Sequence, residues 1–196
     1  MTIELKIELL DLPSPNIWRQ IKISPDITFH QLHQYIQAAF GWKNSHLYMF
    51  SENGFRDLIN IGSPHDEEAP IDASKISAGN ILLAMFNSYQ FMPEKPQTLK
   101  YIYDFGDSWE HTITAVGFDR DDDDKPKLID GQGACPPEDC GGMYGYEDIR
   151  TSLKTGEPSA IHGESRKPWL EGCGYVNYDP MVFDIKNAKK RLAKIK

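Results

Sequence analysis

Cysteine is scarce and odd in number: Cys135, Cys140 and Cys173 are the only three in 196 residues. That argues against a disulfide-stapled scaffold and leaves reduced thiols in a cytoplasmic protein as the expectation. Long apolar runs are missing as well. The longest candidate, residues 81–86, falls far short of the roughly 20 residues that span a bilayer. The first residues alternate charged and apolar side chains and lack the continuous apolar core of a signal peptide. Positive charge is under-represented, with 21 Lys and Arg against 29 Asp and Glu and a net charge of -8. Such a surface repels phosphate backbones. The basic residues that gather at 186–196 look like the polar face of a helix. Nucleic acid and membrane are thus disfavoured as partners, and a protein or a small-molecule ligand is expected. Enzyme signatures are absent too: there is no G-x-S-x-G, no C-x-x-C, and no pattern that calls for a cofactor. Asp104-Phe105-Gly106 matches a kinase triplet, but no phosphate loop or catalytic loop accompanies it.

The residues present describe one α+β domain over 1–196. Ile3, Leu5, Ile7 and Leu9 alternate with charged residues. Ile17, Arg19, Ile21 and Ile23 alternate with Trp18, Gln20 and Lys22, so two strands pair as a hairpin. Thr28 with Gln31 forms a capping box, and Phe29, Leu32, Ile36 and Phe40 recur at helical spacing up to Gly41. This predicts a helix over 28–40. Residues 46–50 read as a buried strand, and Asn53-Gly54 predicts that residues 55–59 return beside it. Residues 62–69 read as a polar loop and 71–79 as holding a helical turn. Residues 81–86 read as a strand, and 99–105 with 108–118 as a later hairpin. The acid-rich stretch 119–124 reads as a solvated loop; Lys125-Pro126 stands where a calcium loop needs glycine. Tyr146, Ile149 and Leu153 mark a short helix, 161–174 is irregular, and Asp179-Pro180 reads as the start of a last helix. The result is a mostly antiparallel or mixed sheet with a β-grasp-like start (β-β-α-β), a later hairpin and C-terminal helices.

Two stretches stand out. Residues 101–111 hold four aromatics, three acids and a histidine around Gly106. Alternation puts Tyr101, Tyr103 and Phe105 on one face and Ile102 and Asp104 on the other, while Trp109, His111, Ile113 and Ala115 share a face. Asp104 and Asp107 either cap the turn's free N–H groups or join His111 in a polar cluster. Residues 135–142, Cys-Pro-Pro-Glu-Asp-Cys-Gly-Gly, form a stiff extended segment followed by a hinge of glycines. The candidate binding residues are Tyr103, Asp104, Asp107, Trp109, His111, Glu138, Asp139 and Tyr146, with the two loops in contact. No metal is required. A zinc alternative would use Cys135, Cys140 and Cys173 with His111 or His162. An enzyme alternative, hydrolase-like or metal-dependent, would use Asp104, Asp107, His111, Glu138 and Asp139. His30, His33, His46 and His65 read as structural.

Residues 101–111 resemble one signature of the plasmid pRiA4b ORF-3-like family, and Cys135 to Gly142 with Gly145-Tyr146 resembles another. Ile17-Trp18-Arg19, the stretch from Phe40 to His46, and Tyr178-Asp179-Pro180 with Phe183-Asp184 agree with it, so the likeness covers nearly the whole chain. It implies a largely uncharacterised family found on plasmids and chromosomes. Some members carry a resolvase-like label from insertion elements, which would make this an accessory protein of mobile elements. The chain shows no helix-turn-helix and no basic tail to go with that label.

Overall fold

The computed structural model describes residues 1–12, 14–56, 60–63, 71–94, 96–120 and 125–195. It opens with a hairpin, β1 (Thr2–Leu9) and β2 (Trp18–Ile23), paired antiparallel with Leu5 opposite Ile21. The alternation works as the pattern requires: Ile3, Leu5, Ile7, Ile21 and Ile23 are fully buried. Helix α1 (Phe29–Phe40) lies on that buried face. Thr28 and Gln31 form the capping box, and Gly41 closes the helix at φ 110°. Phe29, Leu32, Ile36 and Ala39 are fully buried beneath it. Burying such aliphatic and aromatic side chains contributes about 1.5–3 kcal/mol each.

Six further strands complete the sheet: β3 (Tyr48–Ser51), β4 (Ile61–Gly62), β5 (Ile71–Asp72), β6 (Leu99–Tyr103), β7 (Trp109–Asp119) and β8 (Lys127–Gln132). The order is β5-β4-β3-β6-β7-β1-β2-β8. Only β4 and β5 run parallel, so the sheet is mixed and the class is α+β. Helix α2 (Gly79–Phe91) packs over β7 with Leu82 and Met85 buried in the main core. Helices α3 (Gly142–Thr155), α4 (Arg166–Gly172) and α5 (Ile185–Leu192) follow. Helix α5 packs against α1 and β8. Among the described residues, no helix is long and apolar enough to cross a membrane.

Several local expectations differ. Residues 81–86 are helical, because a short apolar run is ambiguous in period and Leu, Ala and Met favour helix. Asn53-Gly54 does not form a tight hairpin turn: Gly54–Arg56 is a 3-10 turn, and β3 pairs antiparallel with the later Ile61–Gly62 on one side and with Leu99–Tyr103 on the other. Residues 57–59, 64–70, which include His65, and the acids 121–124 lie outside the described residues. Residues 71–72 form β5 ahead of a turn, and residues 166–172 form α4 within the stretch read as irregular. Asp179 caps a single turn, its Oδ1 accepting from the Met181 N–H at 2.8 Å. The last helix starts only at Ile185, where Asp184 Oδ1 accepts from the Asn187 N–H. Strand β8 was not expected; it is an edge strand with only Leu128 fully inside, so its pattern is faint.

Arg19 sits in the buried row of β2 and is fully buried. Its Nε donates to Ala39 O at 3.1 Å, Nη1 to Trp18 O and Gln132 O at 2.7 and 2.8 Å, and Nη2 to Gly133 O at 2.9 Å. The guanidinium lies 3.7 Å from the Phe183 ring centroid and 4.9 Å from that of Phe40. Burial pushes its pKa down to about 10. Arg191 Nε donates to Ala38 O at 2.9 Å. The carbonyl end of α1, the negative end of its dipole, is thus closed by two guanidinium groups.

Candidate functional site

The turn that leaves α1 is held by a ring of hydrogen bonds. Gln37 Nε2 donates to the Tyr101 hydroxyl at 3.0 Å, which meets His33 Nδ1 at 2.8 Å. His33 Nε2 meets Asn44 Oδ1 at 2.6 Å, and the Asn44 N–H donates to Gln37 Oε1 at 3.0 Å. Asn44 Oδ1 can only accept, so His33 Nε2 carries the proton and Tyr101 donates to Nδ1. Burial lowers the His33 pKa to about 3, and the imidazole stays neutral. The ring fixes Asn44 at φ 55° and so sets where the next residues, Ser45 and His46, emerge.

The 101–111 hairpin turns through Asp104 at φ 58° and Ser108 at φ 55°. Asp104 Oδ1 accepts from the N–H groups of Gly106 at 3.0 Å and Asp107 at 3.3 Å, which is the capping expected of it. The left-handed residue also breaks the alternation. Phe105 does not share a face with Tyr101 and Tyr103; it packs with Met49 and Ile102 in a small second cluster. Tyr103 faces the main core and sends its hydroxyl to Glu138, donating at 3.0 Å to Oε1.

The 135–146 segment meets this hairpin. Trp42 Nε1 donates to Pro136 O at 3.2 Å, and Glu138 Oε1 accepts from the Lys43 N–H at 2.6 Å. Asp107 Oδ2 accepts from the Gly141 N–H at 3.2 Å. One glycine permits the approach, and a second lets the segment fold back on itself. A Cβ on Gly142, which has φ 64°, would stand 2.8 Å from Asp107 O, and one on Gly145 would stand 1.7 Å from Cys140 O. Trp109 and Tyr146 meet edge to face behind the contact, with centroids 6.4 Å apart. A concavity of about 310 Å³ opens between the hairpin turn and the start of α3, lined by Asp107, Glu110, Gly141, Gly142 and Tyr144.

His46 joins the pieces. Its Nε2 lies 3.1 Å from Asp139 Oδ1, 3.5 Å from Asp104 Oδ2 and 3.8 Å from Glu138 Oε2. That nitrogen is shielded from solvent, yet none of the three oxygens meets hydrogen-bond geometry with it. Access comes from one side: the Asp139 side chain is 72% exposed, whereas those of Asp104 and Glu138 are 11% and 4% exposed. Asp139, at φ 56°, is a second left-handed non-glycine residue in the cluster. The His46 ring also packs edge-on against Tyr103. His46 further lines a cleft of about 460 Å³ with His30, His33, Asn44, Ser45 and Tyr48.

The structure therefore brings Tyr103, Asp104, Glu138 and Asp139 together, with Asp107 bonded across to Gly141 and Trp109 and Tyr146 packed in support. It leaves His111 apart. That imidazole is fully buried against Phe40, Trp42 and Tyr101, its Nδ1 is 3.2 Å from Tyr101 O, and burial lowers its pKa to about 3. The zinc alternative on Cys135, Cys140, Cys173 and His111 is not assembled. Among the described residues, His46, Asp104 and Asp139 form the one group of three His, Cys, Asp or Glu side chains close enough to share a cation. The three cysteines are free thiols, and burial raises the pKa of Cys135 and Cys140. His162 is exposed. The sequence alone points to a structural His46, because it borders a strand. The available signal was its place in the Phe40–His46 stretch, which shares the family resemblance but lies far in sequence from both acidic segments.

Comparison with known proteins agrees with the residue pattern. The family model described as plasmid pRiA4b ORF-3-like protein matches residues 1–187. The chain is 35% identical to the uncharacterized protein y4hQ of Sinorhizobium fredii, over 96% of this chain and 89% of that one. It is similar in structure to MM3350 of Methanosarcina mazei Go1, a protein of unknown function. That match has a TM-score of 0.72 and 28% identity, and covers 95% of this chain and 96% of the other. With its two signature segments packed together and the match running through 187 residues, the chain belongs to the plasmid pRiA4b ORF-3-like family.

Proposed function

We propose that the protein is a cytoplasmic small-molecule-binding module whose ligand occupies the cleft beside His46. The observation that carries this reading is the position of His46. One ring forms part of the cleft wall and reaches the junction of the hairpin and the 135–146 segment. A volume of about 460 Å³ suits a small molecule. The wall offers polar groups, fixed in direction by the bonds behind them. His30 Nδ1 is engaged by the Tyr48 hydroxyl at 2.8 Å, and His33 is locked by Tyr101 and Asn44. Preorganised groups of this kind reduce the ordering lost on binding. The net charge of -8 and the three carboxylates nearby favour a neutral or cationic ligand over a polyanion such as nucleic acid. Three free thiols fit a reducing compartment.

The test is a pooled library of neutral and cationic polar compounds, followed by NMR of the histidine ring protons. At least one compound should shift the cleft histidine resonances. The same compound should bind at least about tenfold more weakly to His30→Ala, the loss of one or two directed hydrogen bonds. A library that leaves those resonances unmoved in the folded protein would overturn the reading.

A further inference from the structure

We infer that His46, Asp104 and Asp139 form a binding site for a divalent first-row transition-metal cation. The site goes beyond the small-molecule reading: it shares His46 with the cleft but does not depend on any cleft ligand.

The donor atoms are His46 Nε2, Asp104 Oδ2 and Asp139 Oδ1, all within 4.8 Å of one another. Bonds of about 2.0–2.2 Å from one ion to nitrogen and carboxylate ligands put donors up to about 4 Å apart, so small side-chain rotations close the set. Acidic groups alone would say little. One atom here points to a missing partner. The Nε2 of His46 is shielded from water and has no hydrogen bond among the described residues. Asp104 is only 8% exposed, and its Oδ1 caps the turn. Its Oδ2 faces that same nitrogen at 3.5 Å. Buried polar atoms are normally paired, and an unpaired one costs about 1–3 kcal/mol or more.

The Nε2 position can offer at most a single N–H, and among the described residues no carboxylate oxygen lies in hydrogen-bond geometry with it, although Asp139 Oδ1 stands at 3.1 Å. A cation between the three donors satisfies all of them at once and offsets the mutual repulsion of Asp104, Glu138 and Asp139. Glu138 is already held by the Lys43 N–H and the Tyr103 hydroxyl. It therefore acts from behind the ligands, adding negative charge and fixing Tyr103 beneath the His46 ring. One imidazole with carboxylates suits manganese, iron(II), cobalt or zinc better than thiolate-seeking copper(I) or oxygen-only calcium. The site is open on the Asp139 side, which leaves coordination positions facing solvent.

Chelator-treated full-length protein is titrated with MnCl₂ and followed by the loss of the free Mn²⁺ resonance signal, with ZnCl₂ as competitor. One saturable Mn²⁺ per chain is expected. His46→Gln and Asp139→Asn should each weaken it by about 10–100-fold while circular dichroism stays native. Cys173→Ser should leave it unchanged. No saturable Mn²⁺ or Zn²⁺ in the unmodified protein, or equal affinity in both variants, overturns the site. Loss of Mn²⁺ in Cys173→Ser alone would move the ion to the thiols and overturn it too. Mn²⁺ binding with an empty ligand screen removes only the small-molecule reading, and screen hits without metal binding remove only this one.

Discussion

At the scale of single residues, Arg19 is unusual because a full charge is buried without a carboxylate opposite it among the described residues. Four backbone carbonyls and two aromatic faces hold it. The planar fork matters more than the charge. A lysine is shorter, carries three donors on one atom, and cannot reach Ala39 on one side and Gly133 on the other. Arg19→Lys should therefore destabilise the protein by about 3 kcal/mol, from carbonyls left unpaired and a lost stack. Urea unfolding at neutral pH measures it, and a change below about 0.5 kcal/mol would mean that the carbonyls find water instead. The Gln37–Tyr101–His33–Asn44 ring is a second case in which polar groups inside the core set geometry. Each member has its partner, so the direction of every shared proton follows from the asparagine oxygen.

At the scale of elements, the 135–146 segment depends on the absence of side chains at two points, Gly142 where it meets the hairpin and Gly145 where it folds back on Cys140. Gly145→Ala would drive a methyl group into Cys140 O, with an overlap that only backbone movement relieves. We expect a loss of about 3 kcal/mol or more in thermal or denaturant unfolding, together with a weakened His46 site, because Glu138 and Asp139 would shift with the loop. Stability within 0.5 kcal/mol of the parent would show that the loop is free to move. Elements with a sharp period were legible beforehand: β1, β2 and α1 follow from their own spacing, down to the capping box and Gly41. Helix α2 was not, because Ile81 to Phe86 is apolar whichever way the backbone turns, and only Leu82 and Met85 of that run are buried. The face of Phe105 departs from the alternation because that pattern assumes extended backbone, which Asp104 abandons. Half the site was readable as two dense segments. His46 was not, since its partners are set by long-range packing that no local pattern encodes.

At the scale of the whole molecule, two buried neutral histidines tie stability to pH. His33 and His111 keep off protons down to about pH 3 when folded, both chiefly through burial. In the unfolded chain each takes one up near pH 6.5. The unfolded state thus binds more protons across that window, and stability falls as pH drops through it. Urea unfolding should be flat from pH 8 to 7 and lose about 3 kcal/mol between pH 6.5 and 5, above the range where carboxylates titrate. A flat profile to pH 5 would show that the imidazoles are hydrated. The sheet order carries a further consequence, for synthesis. Strand β7 is the joint between the two halves, pairing β6 on one side and β1 on the other. Leu5 of the first strand waits for Ala115. As the chain leaves the ribosome, the finished β1–β2–α1 unit must show a bare strand edge to the cell until residues 109–119 arrive. For that interval the nascent chain is a target for chaperones and for its own neighbours on the same message, and a pause in translation before residue 109 would lengthen the exposure.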